Sequence, residues 1–93
     1  MCRIAGILNS KLPQDKIQDA VKEMCFLQQH GGPDDQGFYS NTEAHLVLGH
    51  RRLSLIDLSE AGHQPMVYQN RFYISFNGEI YNYIELRTAL ESA

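Results

Sequence analysis

The stretch AHLVLGHRRLSLID, residues 44–57, sets two arginines inside an otherwise apolar run. Its apolar residues fall on adjacent as well as alternate positions, so it reads as strand covered on both faces. It is either two strands, 44–50 and 51–57, or one long strand bent at Gly49. A guanidinium is costly to bury without a partner. At least one of Arg51 and Arg52 is therefore expected to meet an anion or the open edge of a cleft. The Arg fork fits a carboxylate through two parallel hydrogen bonds. An exposed strand end with a surface salt bridge accounts for the same letters.

Working outward, CRIAGIL (residues 2–8) has the Ile, Leu and small residues of a buried strand. Ile17, Ala20, Val21, Met24 and Cys25 recur at helical spacing, which predicts an amphipathic helix over 14–29 with Pro13 near its start. HGGPDD (30–35) ends it, with Gly31 or Gly32 in the left-handed conformation and Pro33 blocking continuation. QGFYS (36–40) reads as a short strand and 58–65 as a loop. In RFYISFN (71–77), Phe72, Ile74 and Phe76 share one strand face. A second helix is expected over 82–92, with Asn82 as N-cap, Glu85 completing a capping box, and Tyr83, Leu86 and Leu90 buried.

The fold class implied is α+β. The second helix runs almost to Ala93, and few strands are left for it to cover. The chain thus reads as the first part of a larger domain, with an edge-exposed half sheet. Ninety-three residues allow one small domain. The formal charge of −3 argues against a nucleic-acid surface. No apolar run approaches the ~18 residues of a membrane span, and the opening lacks a secretory pattern. Two cysteines are too few for a disulfide scaffold and point to a reducing, cytoplasmic setting.

Chemistry concentrates in a few places. Cys2 stands behind Met1. Removal of Met1 would put a thiol and a free α-amine on one residue, which then supplies both nucleophile and base. By itself Cys2 reads first as a small buried residue at a strand start, which is where most free cysteines go. In FNGEIYN (76–82), the Asn77 side-chain amide and the Gly78 N–H are two donors placed to face one oxyanion. Asn-Gly is also the commonest hairpin signal, but a helix pattern follows it here. HGGPDDQG lacks both the P-loop Lys-Ser/Thr and calcium-loop spacing. His30, His45, His50 and His63 show no zinc spacing, so structural or surface roles are expected.

MCRIAG, GPDDQG, LGHRRLSLIDLS, GHQPM and FNGEIYNYIELR occur in that order and span nearly the whole chain. Together they resemble the glutaminase domain of glutamine-hydrolysing asparagine synthetases, a class II glutamine amidotransferase of the N-terminal nucleophile hydrolases. The resemblance implies part of a four-layer αββα sandwich with mainly antiparallel sheets and two helices. It implies that Cys2 attacks the side-chain amide of L-glutamine, with Asn77 and Gly78 holding the oxyanion. Arg52 would grip the glutamine α-carboxylate, backbone of Leu53, Ser54, Leu55 and Ile56 would line the pocket, and Glu79 would help bind the α-amine. Glutamine hydrolysis would need no cofactor. ATP and magnesium would belong to a synthetase domain outside residues 1–93, with that remainder or another chain as partner and no nucleic acid or membrane involved. The rival reading is a catalytically silent remnant that binds a partner or completes another chain's sheet.

The chain departs from the family pattern around the nucleophile. Arg3 replaces a small residue, while Gln29 and Gly31 replace two arginines of a family segment reading RHRGPD. The expectation is that Arg3 supplies, from the other side, the charge missing at Gly31. An Arg3 pointing to bulk solvent, away from Gly31, would defeat it.

Overall fold

A computed structural model of the chain describes residues 2–8, 11–54 and 60–93. The elements in order are β1 (Arg3–Leu8), α1 (Gln14–Leu27), a 3-10 turn (Gln29–Gly31), β2 (Asp35–Asn41), β3 (Leu46–Arg52), a second 3-10 turn (Glu60–Gly62), β4 (Met66–Tyr68), β5 (Phe72–Ile74) and α2 (Tyr83–Glu91). This is an α+β arrangement with antiparallel sheets and two helices, as the sequence implied.

The arginine-bearing stretch becomes the centre of the larger sheet. Its strand order is β1-β3-β2, and β3 pairs antiparallel with both neighbours. Of the two sequence alternatives, the part up to Arg52 is one strand; Leu55, Ile56 and Asp57 lie outside the described residues. The register sets Arg3 opposite Arg51, Ala5 opposite Gly49 and Ile7 opposite Val47. Side chains alternate across a strand. One face therefore carries Arg3, Ala5, Ile7, Val47, Gly49 and Arg51, and it is the face α1 covers.

The core lies between that face and α1. Ile17, Val21, Cys25 and Val47 are buried, with Ala5 and Ile7 packed against them. The helical stripe read from sequence thus does the packing, though Met24 stays partly exposed. Burial of each such side chain stabilises by about 1.5–3 kcal/mol. The helix ends at Leu27, two residues before its expected end, and passes into the 3-10 turn.

Several expectations need correction. Gly31 and Gly32 do not provide a left-handed turn, since no described glycine has positive φ. The left-handed positions are His45, Gln69 and Asn70 instead. Gln69 and Asn70 turn β4 into β5, a hairpin that no Gly or Pro announces. β1 is covered on one face only, leaving Ile4 and Leu8 exposed. Asn82 precedes α2 but makes no side-chain capping bond. Tyr83, Leu86 and Leu90 are not buried, nor are Phe72, Ile74 and Phe76. Nothing among the described residues covers these faces. The inward face of the 71–77 run is the polar one: Tyr73 stacks on Tyr39 at 3.7 Å and Ser75 reaches His50.

Gly49 is small for packing rather than for a bend. A Cβ there would lie 2.5 Å from Cys25 Sγ and 2.9 Å from Val21 Cγ1. Helix α1 sits on β3 only because position 49 has no side chain. Gly49→Ala should destabilise the fold by about 1–3 kcal/mol, the usual cost of overpacking. Adding Cys25→Ala should recover part of that loss, because it vacates the colliding sulfur. Urea unfolding of the two single variants and the double variant measures the coupling; additive losses would contradict the packing argument.

Candidate functional site

The site forms where β1 begins and β3 ends. Cys2 stands one residue before β1, and the antiparallel register brings it to the Arg52–Leu53 step. The Leu53 N–H donates to Cys2 Sγ at 3.4 Å, and the thiol lies 3.8 Å from the Leu53 carbonyl oxygen. A residue at the start of the chain is thereby held against one 51 positions later. The thiol is half-buried. The other cysteine, Cys25, belongs to α1 and is fully buried against the sheet. Burial pushes its thiol up, only partly opposed by the charge of Arg51.

The two arginines of β3 are both buried, Arg51 at 7% and Arg52 at 8% exposure. They point to opposite faces. Arg51 donates through Nε to the Gly32 carbonyl at 2.9 Å and through Nη1 to Gln36 Oε1 at 2.6 Å. It holds a structural position on the helix side. Arg52 faces the other way, where β2 sets Asp35 opposite it and its guanidinium lies against Gly62. Arg52 stands across the strand pair from Asp35, and its charge is one of the influences that hold the Asp35 carboxyl down.

The segment after the 3-10 turn serves as the clasp for this corner. Asp34 N–H donates to the Arg52 carbonyl at 2.9 Å, and Asp34 Oδ2 accepts from Ser54 N–H at 2.8 Å. Asp35 pairs with His63 Nδ1 at 2.5 Å. Burial acts to raise the Asp35 pKa, but the hydrogen bonds from His63 and the Gln36 N–H, with the charges of His63 and Arg52, hold it below the usual carboxylate value. Gln64 Oε1 accepts from Phe76 N–H at 2.6 Å, which ties the same corner to the approach to Asn77. No periodicity marks Asp34, Asp35, His63 or Gln64, although they lie within GPDDQG and GHQPM, two of the ordered motifs. The pairing of β2 with β3 carries Asp35 to this corner, and the contacts of His63 with Asp35 and of Gln64 with Phe76 bring in the 63–64 segment.

His50 sits behind Arg52 on the same face. It is fully buried, with Nδ1 3.0 Å from Ser75 Oγ and Nε2 without a hydrogen-bond partner among the described residues. His30, His45 and His63 are exposed. No group of three His, Cys, Asp or Glu that could hold a metal ion occurs among the described residues. No described helix is long and apolar enough to cross a membrane.

Of the residues singled out from sequence, Cys2, Arg52, Leu53 and Ser54 come together. Asn77, Gly78 and Glu79 are exposed and make no hydrogen bond to Cys2. Leu55 and Ile56 lie outside the described residues. Arg3 turns back over this corner. Its Nη1 donates to the Cys2 carbonyl at 3.2 Å, and its guanidinium lies directly against Gly31. The condition that would have defeated the Arg3 expectation is not met.

Residues 1–93 match a family model described as a glutamine amidotransferase domain. Asparagine synthetase [glutamine-hydrolyzing] 1 of Bacillus subtilis is 45% identical over 95 residues, covering 99% of this chain and 15% of that protein. The putative asparagine synthetase [glutamine-hydrolyzing] 2 of Methanocaldococcus jannaschii is 38% identical, covering 94% of this chain and 20% of its own length. Asparagine synthetase B [glutamine-hydrolyzing] of Escherichia coli is also 38% identical, covering 94% and 15%. The chain therefore spans between about a seventh and a fifth of these relatives.

The buried histidine makes stability depend on pH. Burial lowers the His50 pKa from its ordinary value; the charge of Asp35 opposes this, while His63 and Arg52 add to it. The unfolded chain then takes up the proton more readily than the folded one. The stability contribution is complete above the unfolded value of about 6.5 and is lost as pH falls from there. Urea midpoints measured between about pH 7.5 and pH 5 should fall in the parent protein. They should fall less in His50→Gln; equal slopes in the two proteins would contradict this.

Proposed function

Because the chain belongs to the glutamine amidotransferase domain family, we propose that it carries the part of the site that hydrolyses L-glutamine and releases ammonia for asparagine synthesis. The observation that carries this reading is the seat of Cys2: the thiol of the second residue held against the Leu53 N–H, beside a buried Arg52. In the proposed reaction, Met1 is removed and the Cys2 α-amine takes the thiol proton. The sulfur then bonds to the glutamine side-chain carbonyl carbon. The C–N bond breaks, the amide nitrogen leaves with that proton as ammonia, and a γ-glutamyl thioester remains. Water adds to the thioester, releasing glutamate and restoring the thiol. The step needs no cofactor. ATP and magnesium would serve the synthetase part that the relatives' names imply, beyond residues 1–93.

Each remaining residue has a chemical task in this reading. Arg52 grips the substrate carboxylate, with the backbone of Leu53, Ser54, Leu55 and Ile56 along the pocket and Glu79 toward the α-amine. Asn77 and Gly78 stabilise the oxyanion. A second reading rests on the uncovered apolar faces of β5 and α2. In it, the polypeptide is catalytically silent and serves as a binding or assembly module. The neighbouring chain would supply the missing cover.

Ammonia release from glutamine separates the two readings, in a sample whose N-terminus is shown by mass spectrometry to be Cys2. Cys2→Ala should abolish release. Asn77→Ala should lower kcat by about 10²–10³-fold, the cost of one oxyanion donor. Arg52→Lys should raise KM for glutamine by about tenfold or more, because the two-pronged carboxylate contact is lost. Absence of Cys2-dependent ammonia would favour the silent module.

A further inference from the structure

We infer that Arg3 is a positioning residue for Cys2, and that position 31 is glycine because the Arg3 guanidinium fills the space its side chain would take. The inference rests on the reading of Cys2 as the nucleophile. β1 and β3 set Arg3 directly opposite Arg51 on the helix face of the sheet. Like charges in that relation repel unless each finds its own partners. The two arginines divide the neighbouring carbonyls between them. Arg51 takes the Gly32 oxygen at 2.9 Å, and Arg3 takes the Cys2 oxygen at 3.2 Å.

Both bonds depend on the glycine pair. A Cβ at Gly32 would meet the Arg51 backbone carbonyl carbon at 2.5 Å. A Cβ at Gly31 would lie 2.6 Å from Arg3 Cζ and 2.7 Å from Arg3 Nε. Neither glycine has a positive φ, so backbone freedom does not account for them. Position 31 is small because something else occupies its side-chain volume. Positions 3 and 31 thus border one space, which here a guanidinium from position 3 fills.

The function of the contact follows from what Arg3 holds. A charge-assisted hydrogen bond to the Cys2 carbonyl restrains the backbone of the very residue whose sulfur rests on Leu53 N–H. A nucleophile displaced by as little as about 1 Å loses a large part of its rate. Arg3 touches neither sulfur nor substrate in this role; it acts through the carbonyl.

The test compares the parent protein, Arg3→Gly, Gly31→Ala and the double variant Arg3→Gly/Gly31→Arg. Two readouts are taken: glutamine kinetics, and the NMR shift of an isotope-labelled Cys2 carbonyl carbon. Arg3→Gly should lower kcat by about tenfold or more while KM stays within about threefold, and should move the carbonyl signal upfield. Gly31→Ala should move the same signal the same way by displacing the guanidinium. The double variant should bring both readouts back toward the parent. The inference is overturned if Arg3→Gly leaves the carbonyl signal in place, or if a folded double variant does no better than Arg3→Gly. Should the double variant not fold, an unmoved signal in Gly31→Ala overturns it as well. The carbonyl shift needs no turnover. A parent protein without Cys2-dependent hydrolysis would sink the glutaminase reading, while the shifts would still decide the Arg3 contact.

Discussion

Two adjacent guanidiniums buried on opposite faces of one strand are the constraint from which the rest of this corner follows. Arg51 and Arg52 cannot both turn the same way, because consecutive strand residues alternate. Each face of β3 must therefore supply its own compensation for a buried charge. The helix side offers the Gly32 carbonyl and Gln36. On the opposite side Asp35 stands across the strand pair from Arg52 and is itself paired with His63. The segment from Gly31 to Gln36 serves both faces at once, which is why it crosses the end of β3 closely enough to require two glycines.

That clasp also builds the seat of Cys2. Asp34 takes the Ser54 N–H and gives its own N–H to the Arg52 carbonyl, so the chain leaving β3 is held in place just where Leu53 meets the sulfur. Arg3 closes the same corner from β1. The candidate nucleophile thus depends on a hydrogen-bond frame made of main-chain groups and charged side chains. The apolar core under α1 lies on the helix side of the sheet and contributes rigidity through the close approach at Gly49.

The opposite side of the molecule is less complete. The apolar residues of β5 and α2 share faces, as their spacing foretold, but those faces meet no cover among the described residues. Periodicity reports which residues belong on one face; it does not report what lies against that face. The same limit explains the orientation of the 71–77 run. Tyr73 and Ser75 face inward because Tyr39 and His50 offer a stacking surface and a polar partner there. Neither partner is visible from residues 71–77 taken alone. Likewise, Gly31, Gly32 and Gly49 look like turn or bend residues in one dimension. In three dimensions each is a point of close approach, which depends on residues more than twenty positions away except where Arg51 meets Gly32.

What the sequence determined by itself were the local elements and the chemical inventory. The helical stripe from Ile17 to Cys25, the strand around Leu46–Arg52, the thiol at Cys2 and the need to satisfy two arginines all follow from spacing and from the cost of burying charge. The ordered motifs also carried the family resemblance. Tertiary structure alone decided which arginine faces which side, that Asp34, Asp35 and His63 serve as its frame, and that Arg3 rests on Gly31. The reason is physical: strand register and glycine contact join residues far apart in the chain, and a hydrogen bond across that separation leaves no periodic trace in the sequence.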